Sequence, residues 1–322
     1  MKRRSVLRGA VATGITAPTV VALSAALTDR DMADLSSWES TVERYGYGYN
    51  GRAPGEVLTD LFGDFLELTP TLDASRSASS RSRLSHVTGR LMGMAAIVLH
   101  DLGDHRESAR WFHTAGRAAE ESGDVVLRAW VTAREAMVPL NFGAPAVAQR
   151  LAERAQALAG EQPTAAKALA CAVAARAHAA SGHRDRALTA VADADRIMER
   201  LSDGQSADTW FGYPIQKHHV HLSQALTLLG ETRRAYAHQE RALELSRRPS
   251  VMTRALISID RAACLAHDGE LPEAADVAAR AYGELPVSYR SGLTRARATA
   301  VHDRVRAVPE ADRLRHALTV GT

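Results

Sequence analysis

Residues Met94–Ala115 read MAAIVLHDLGDHRESARWFHTA, and a pattern of small residues centred on Gly103 recurs four more times downstream. The matching glycines are Gly103, Gly143, Gly182, Gly230 and Gly269, at intervals of 40, 39, 48 and 39 residues. The residues seven before, five after and twelve after each glycine are always Ala or Ser. These fifteen positions are Ala96, Ala136, Ala175, Ser223, Ala262, Ser108, Ala148, Ala187, Ala235, Ala274, Ala115, Ala155, Ala194, Ala242 and Ala281. Alanine is common in this chain, but its abundance alone does not explain an unbroken set.

This spacing predicts two antiparallel helices joined at a tight turn, where glycine adopts a backbone conformation that other residues resist. Small residues are expected where helices come closest, because a larger side chain would force their axes apart. Units of about 40 residues are typical of stacked helical-pair arrays. One unit cannot bury its apolar face alone, whereas several stacked units can.

The whole chain fits an all-α fold, because Ala, Leu, Arg and Glu dominate its 322 residues and strand-like alternation is scarce. We predict an α-solenoid of about five helix pairs over residues 84–285, with C-terminal capping helices over 286–322. Residues 51–83 are predicted to form an N-terminal capping helix and then an exposed Ser/Arg loop over 75–83. The apolar stripe of that capping helix comprises Leu58, Leu61, Phe62, Phe65 and Leu66.

Two features interrupt the regular spacing. Pro139 lies four residues before its turn glycine and should bend or end the first helix of the second unit. The long interval between the third and fourth glycines places an insertion at 202–214. Its aromatic side chains, Trp210, Phe211 and Tyr213, either contact a partner or pack inward as a plug between units.

Residues 1–50 divide into an Arg-Arg segment and a Tyr/Gly loop. The segment KRRSVLR, followed by a weakly apolar stretch, resembles a twin-arginine export signal with Val6 in place of the usual Phe. On that interpretation residues 1–26 are a signal and the protein is exported. On the other interpretation the segment is a linker and the protein is cytoplasmic, which we favour. Gly14 and Pro18 interrupt the apolar stretch, so it fits a membrane span poorly.

Gly46, Gly48 and Gly51 spell G-x-G-x-x-G, the dinucleotide-binding fingerprint. That fingerprint requires a preceding strand and a following helix within a βαβ unit, and no strand pattern precedes it. We therefore expect an aromatic loop here, preceded by a short helix over 38–44.

Charge and chemistry exclude several classes of function. The net charge is +3, but basic and acidic residues alternate along helix faces, which does not favour direct nucleic-acid binding. Cys171 and Cys264 fall in different units and are expected to be buried free thiols. His218 and His221 share a helix face but lack further ligands, so no metal site is expected. Without a G-x-S-x-G elbow, a P-loop or a paired catalytic group, we predict neither an enzyme nor a cofactor.

The helix-pair unit, with alanine five and twelve residues after its turn glycine, resembles the tetratricopeptide repeat, although that repeat usually has 34 residues. Asp101–Val131, DLGDHRESARWFHTAGRAAEESGDVVLRAWV, is similar to the repeat region of actinobacterial regulators of the Xre type. In that family a helix-turn-helix domain precedes a tetratricopeptide-like array. The resemblance covers about residues 54–285, without the helix-turn-helix, and implies a regulatory or sensing role in bacterial transcription.

In such repeats the first helix of each pair lines a concave groove. The residues on that face are predicted to be partly apolar, with cations spaced between them. Such a surface suits an extended peptide or helix with apolar anchors and one or two carboxylates. The candidate groove residues are Arg90, His100, Trp130, Met137, Asn141, Arg176, Lys217, Gln224 and His267. The alternative is that several of these side chains pack on one another.

The sequence therefore predicts a non-catalytic helical-repeat protein that binds a peptide or protein in its groove, with self-association left open. Two other functions stay open. One is a scaffold protein exported by the twin-arginine route, and the other is a DNA-associated transcriptional regulator.

Overall fold

The computed structural model describes residues 34–47, 51–75 and 77–320, and all regular secondary structure in these ranges is helical. The all-α prediction is confirmed for this part of the chain. The Arg-Arg segment, with its signal interpretation, and Gly48 of the G-x-G-x-x-G motif lie outside the described residues.

Eleven helices form the region that corresponds to the predicted array. They are α3 (Ala78–Leu102), α4 (His105–Ser122), α5 (Val125–Glu135), α6 (Met137–Asn141), α7 (Pro145–Ala159), α8 (Ala165–Ala180), α9 (Arg184–Met198), α10 (Ile215–Leu228), α11 (Thr232–Leu245), α12 (Val251–Asp268) and α13 (Leu271–Gly283). They are preceded by α1 (34–47) and α2 (Pro54–Ala74) and followed by a 3-10 turn (Val287–Tyr289), α14 (Gly292–Val305) and α15 (Ala311–Val320).

The five turn glycines lie between consecutive packed helices, as their spacing predicted. Each has a positive φ, between 71° and 94°. The turns join α3 to α4, α6 to α7, α8 to α9, α10 to α11 and α12 to α13, and the helices of each pair pack on each other. Short turns of this kind make the two helices of a pair antiparallel neighbours.

The small residues lie at the closest helix contacts. Fourteen of the fifteen Ala and Ser positions have 0 % relative exposure, and Ala281 is partly buried. Ser108 shows how close the helices are, because its Oγ donates a 2.7 Å hydrogen bond to the carbonyl of Ala96 on the facing helix. The pattern therefore marks helix packing and not a ligand site.

Pro139 has the predicted effect. The first helix of the second unit is split at Ala136 into α5 and α6. Proline has no N–H to donate to the carbonyl four residues before it, Glu135, so the helical ladder is interrupted there.

Three details near the amino terminus correct the sequence analysis. The Ser/Arg loop is wrong from residue 78 onward, because Ser77 caps α3 by accepting a 3.0 Å hydrogen bond from the N–H of Ser80. Gly46 lies in α1 and not in a loop. Leu58, Leu61 and Phe65 of the predicted stripe pack in the core, but Leu66 is 79 % exposed, so the buried face of α2 is shifted toward Val57 and Leu68.

The carboxyl-terminal helices pack beyond the last pair. Helix α14 contacts α12, α13 and also α3 of the first pair. Tyr289 donates a 2.8 Å hydrogen bond from its hydroxyl to the carbonyl of Arg52, just before α2. The end of the array is thereby joined to its beginning.

None of the helices in the described ranges combines the length and the apolar composition needed to cross a bilayer.

Ala148 tests the packing role of the small residues. Ala148→Leu should lower the free energy of unfolding by about 1–3 kcal/mol, because the added methyl groups have no space at the helix contact. Ala146→Leu, on an exposed position of the same helix, should change it by less than about 0.5 kcal/mol. Urea unfolding of both variants measures this, and equal stability of the two would contradict the packing role.

Candidate functional site

A cavity of about 260 Å³ lies where the first helix pairs, the inserted loop and the carboxyl-terminal helices meet. Helices α3, α6, α10, α12 and α14 supply its apolar walls. The apolar side chains include Ile97, Met137, Val220, Met252, Leu256 and Leu293. Its walls come from distant parts of the sequence, so the cavity depends on the joining of the two ends.

A second depression, of about 530 Å³, lies beside α1 and α2. Charged residues line much of it, and Arg52 pairs with Asp60 there at 2.6 Å. The interior cavity is the stronger candidate, because small-molecule sites are mostly apolar with a few converging polar groups.

Lys217 on α10 is the cation in the cavity wall that the sequence analysis selected. Its Nζ donates hydrogen bonds to two carbonyls of the inserted loop, at 3.1 Å to Thr209 and 2.8 Å to Gly212. Burial holds the pKa of Lys217 well below its ordinary value, and the nearby Arg134 guanidinium lowers it further. The Asp208 carboxylate opposes this shift, but it forms its ion pair with Arg247.

Arg134 on α5 lines the same cavity and is 9 % exposed. Its Nη2 donates a 3.2 Å hydrogen bond to the carbonyl of Trp210, and its guanidinium carbon lies 5.7 Å from the ring centre of Trp130. The inserted loop therefore rests on two cations, one from the second unit and one from the fourth.

Four of the units are joined by a chain of hydrogen bonds that we term the central polar chain: His100, Asn141, Arg176 and His221. Arg176 donates to Asn141 Oδ1 at 2.8 Å and to His221 Nδ1 at 3.1 Å. The Asn141 amide lies 2.9 Å from His100 Nε2, and His100 Nδ1 lies 2.9 Å from an Asp101 oxygen. An accepting Nε2 places the proton of His100 on Nδ1, facing that carboxylate.

Arg176 is 2 % exposed, and burial lowers its pKa to about 9, with a further contribution from Arg297. Asp260 opposes this shift, and it is itself held by Arg297 through two bonds of 2.7 and 2.8 Å. Burial and the positive charge of Arg176 also hold the pKa of His221 well below its ordinary value. Charged groups on α12 and α14 thus act electrostatically on the central polar chain.

The inserted loop, residues 202–214, folds inward. Trp210 is 7 % exposed and Tyr213 is 1 % exposed, while Phe211 packs 4.7 Å from the ring of Trp130. The N–H of Trp210 donates to the carbonyl of Gly46, which fixes the loop against α1. These aromatic side chains pack as a plug between units, the second of the two arrangements that the sequence allowed.

The predicted groove residues lie in three places, and His100 belongs to two of them. His100, Met137 and Lys217 line the cavity. His100, Asn141 and Arg176 bond to one another in the central polar chain. The others lie elsewhere: Arg90 against Glu43 and the Phe211 ring, Trp130 in the core beneath the loop, Gln224 partly buried on α10, and His267 exposed beside Arg304.

Arg134 was missed by the sequence analysis, although a signal for it exists. It lies nine residues before its turn glycine, a position that is occupied in the other units by Met94, Val173, His221 and Asp260. All five of these side chains are buried. Charged or polar residues at a buried repeat position indicate an interior network, and comparing the units at this position would have found it.

No chemical role was expected for the two cysteines or for His218 and His221. Both cysteines are buried free thiols, as predicted. His218 Nε2 lies 2.8 Å from Asp195, whereas His221 faces Arg176. Within 34–47, 51–75 and 77–320, no three His, Cys, Asp or Glu side chains are grouped as a metal site requires.

The sequence matches no protein-family model and no curated protein.

Trp210 tests the role of the inserted loop as a plug. Trp210→Ala should lower the free energy of unfolding by about 3–5 kcal/mol, because it empties a buried space that the small side chain cannot fill. Ile215→Ala, an exposed position five residues later, should have an effect below about 0.5 kcal/mol. Urea unfolding distinguishes them, and a Trp210→Ala protein as stable as the control would mean that the loop lies outside the core.

Proposed function

We propose that this chain is a tetratricopeptide-like repeat protein that binds a short peptide in its interior cavity, as the sensing part of a bacterial transcriptional regulatory system. The observation that carries the binding role is the cavity itself, with apolar walls and basic side chains that include Arg134 and Lys217. The turn glycines and buried small residues support the repeat assignment. The regulatory role is supported by the resemblance of Asp101–Val131 alone.

The size of the cavity favours a small ligand over a long helix in an open groove. Its volume of about 260 Å³ lies just below the range of about 300–1,000 Å³ that is usual for small-molecule sites. Next to it, the bonds among Asn141, Arg176 and His221 occupy the interior face that the sequence analysis assigned to a partner. A short segment entering the cavity is the ligand that this arrangement accommodates.

Ligand binding would also act on the array as a whole. The cavity wall includes Ile97 on α3, Val220 on α10 and Leu293 on α14, so a bound peptide would contact both ends of the array. A ligand that binds the joined form more tightly than an opened form shifts the population toward the joined form. This is a direct way for binding to reach a partner domain or a second protein.

A selection with tetrapeptides tests the proposal. A randomised tetrapeptide mixture with free termini is incubated with the protein, and the retained peptides are identified by mass spectrometry. Val220→Trp fills the cavity from its wall and should reduce retention by about tenfold or more, since the lost contacts need to supply only about 1.4 kcal/mol. Val147→Trp, at an exposed position on α7, should retain the same peptides as the unchanged protein.

The thermal midpoint of Val220→Trp without peptide should stay close to that of the unchanged protein. Equal retention by both Trp variants, or no retained peptide at all, would contradict binding in the cavity.

A further inference from the structure

The charged groups around the cavity are not balanced. Most of them have a partner: Asp101 accepts from the Nδ1–H of His100 at 2.9 Å, Asp208 pairs with Arg247 at 3.5 Å, and Arg52 pairs with Asp60 at 2.6 Å. Lys217 differs, since its two hydrogen-bond partners are main-chain carbonyls. In the described part of the chain no carboxylate forms an ion pair with it. The Asp208 carboxylate offsets part of the Lys217 charge without forming an ion pair with it, and the remainder can be met by a bound anion.

The geometry of Lys217 limits what can neutralise this charge. An ammonium group has three N–H donors, and two of them are used by Thr209 and Gly212. One donor is left, which suits one anionic oxygen. Burial and Arg134 both disfavour the charged form of Lys217 and Asp208 favours it, so an anion in contact with Nζ would stabilise the ammonium further.

The walls favour a carboxylate over a phosphate. Met252 and Leu256 are apolar neighbours in the cavity, and moving a dianion out of water into such surroundings costs more than moving a monoanion. A phosphate also needs several donors around its oxygens, as at helix N-termini and Arg clusters. The arginines of the cavity wall are engaged by the protein, Arg52 by Asp60, Arg247 by Asp208 and Arg134 by the carbonyl of Trp210. The single ammonium donor left at Lys217, beside apolar walls, matches a carboxylate joined to an apolar group.

Other lining side chains favour a peptide as the source of that carboxylate. Gln216, Ser250 and Thr253 also line the cavity, and they offer donors and acceptors to amide groups next to the apolar surface. A simple alkyl acid would leave such groups facing hydrocarbon, which is costly when they lose their water.

We propose that the cavity binds the C-terminal carboxylate of a short peptide whose last residue is apolar, with the carboxylate against Lys217 Nζ and the last side chain against Met252 and Leu256. This inference rests on the proposed function, because it specifies which end of the peptide enters the cavity.

Matched acids and amides test this inference by calorimetry at pH 7. The probes are N-acetyl-Ala-Leu, N-acetyl-Ala-Met and N-acetyl-Ala-Phe, each as the free acid and as the carboxamide, together with octanoate and phenyl phosphate. At least one acid should bind about tenfold or more tightly than its amide, because only the acid offers a charged oxygen to the Lys217 ammonium. Octanoate and phenyl phosphate should bind more weakly than that acid.

Two lysine variants identify the group responsible. Lys217→Met should bind acid and amide alike, whereas Lys217→Arg should keep the preference for the acid. Lys167→Met is the matched control, because Lys167 also donates from Nζ to a main-chain carbonyl, that of Gln156 at 3.2 Å, but does not line the cavity. It should keep the full preference. The acid–amide comparison on the unchanged protein needs no variant, so it stands even if Lys217→Met folds poorly.

Each contrary result has its own meaning. Equal affinity for acid and amide, or no binding of any acid, would overturn the carboxylate assignment. Tighter binding of octanoate or phenyl phosphate would overturn the peptide assignment. If the tetrapeptide selection still depends on Val220 in any of these cases, peptide binding in the cavity survives while the inference about its C-terminus fails.

Discussion

The close approach of Gly103 and Gly292 is the constraint on which the shape of the molecule depends. A Cβ on Gly103 would lie 2.8 Å from the Cα of Gly292, and a Cβ on Gly292 would lie 2.0 Å from the carbonyl oxygen of Asp101. Neither position has room for a side chain. The turn of the first helix pair is thus in backbone contact with the start of α14, and this contact brings the carboxyl-terminal helices to the cavity wall.

That contact is the outcome of many smaller ones. Alanine or serine at the helix crossings lets neighbouring helices approach closely, and the same spacing in each unit repeats the same geometry along the chain. The central polar chain then crosses the interior with its members bonded to each other. Buried polar groups contribute little net stability, but unmatched ones are costly, so this network disfavours other alignments of the units. The network thereby fixes how neighbouring units align, and this alignment places α14 opposite α3.

The local features of the fold could be predicted from the sequence. The turn glycines, the buried alanines and the break at Pro139 each follow from backbone sterics or from the packing of two adjacent helices. The site was harder to predict, because stepping along single helices found Met137 and Lys217 but not Arg134 or Leu293. Leu293 reaches the cavity only because α14 packs against α3, a contact between distant segments that no short stretch of sequence specifies, whereas Arg134 is found only by comparing the repeat units. The Ser/Arg segment failed for a local reason, since Ser77 acts as a helix cap and not as part of a loop.

Joining of the two ends is the central claim, and a distance measurement between spin labels at Arg106 and Thr299 tests it most directly. Both positions are exposed. Arg106 follows Gly103 by three residues, and Thr299 follows Gly292 by seven residues. With a rise of 1.5 Å per residue and flexible label arms, the account predicts one narrow distribution within about 30 Å. A broad distribution centred at longer distances would show an open array, and it would remove the basis for the cavity.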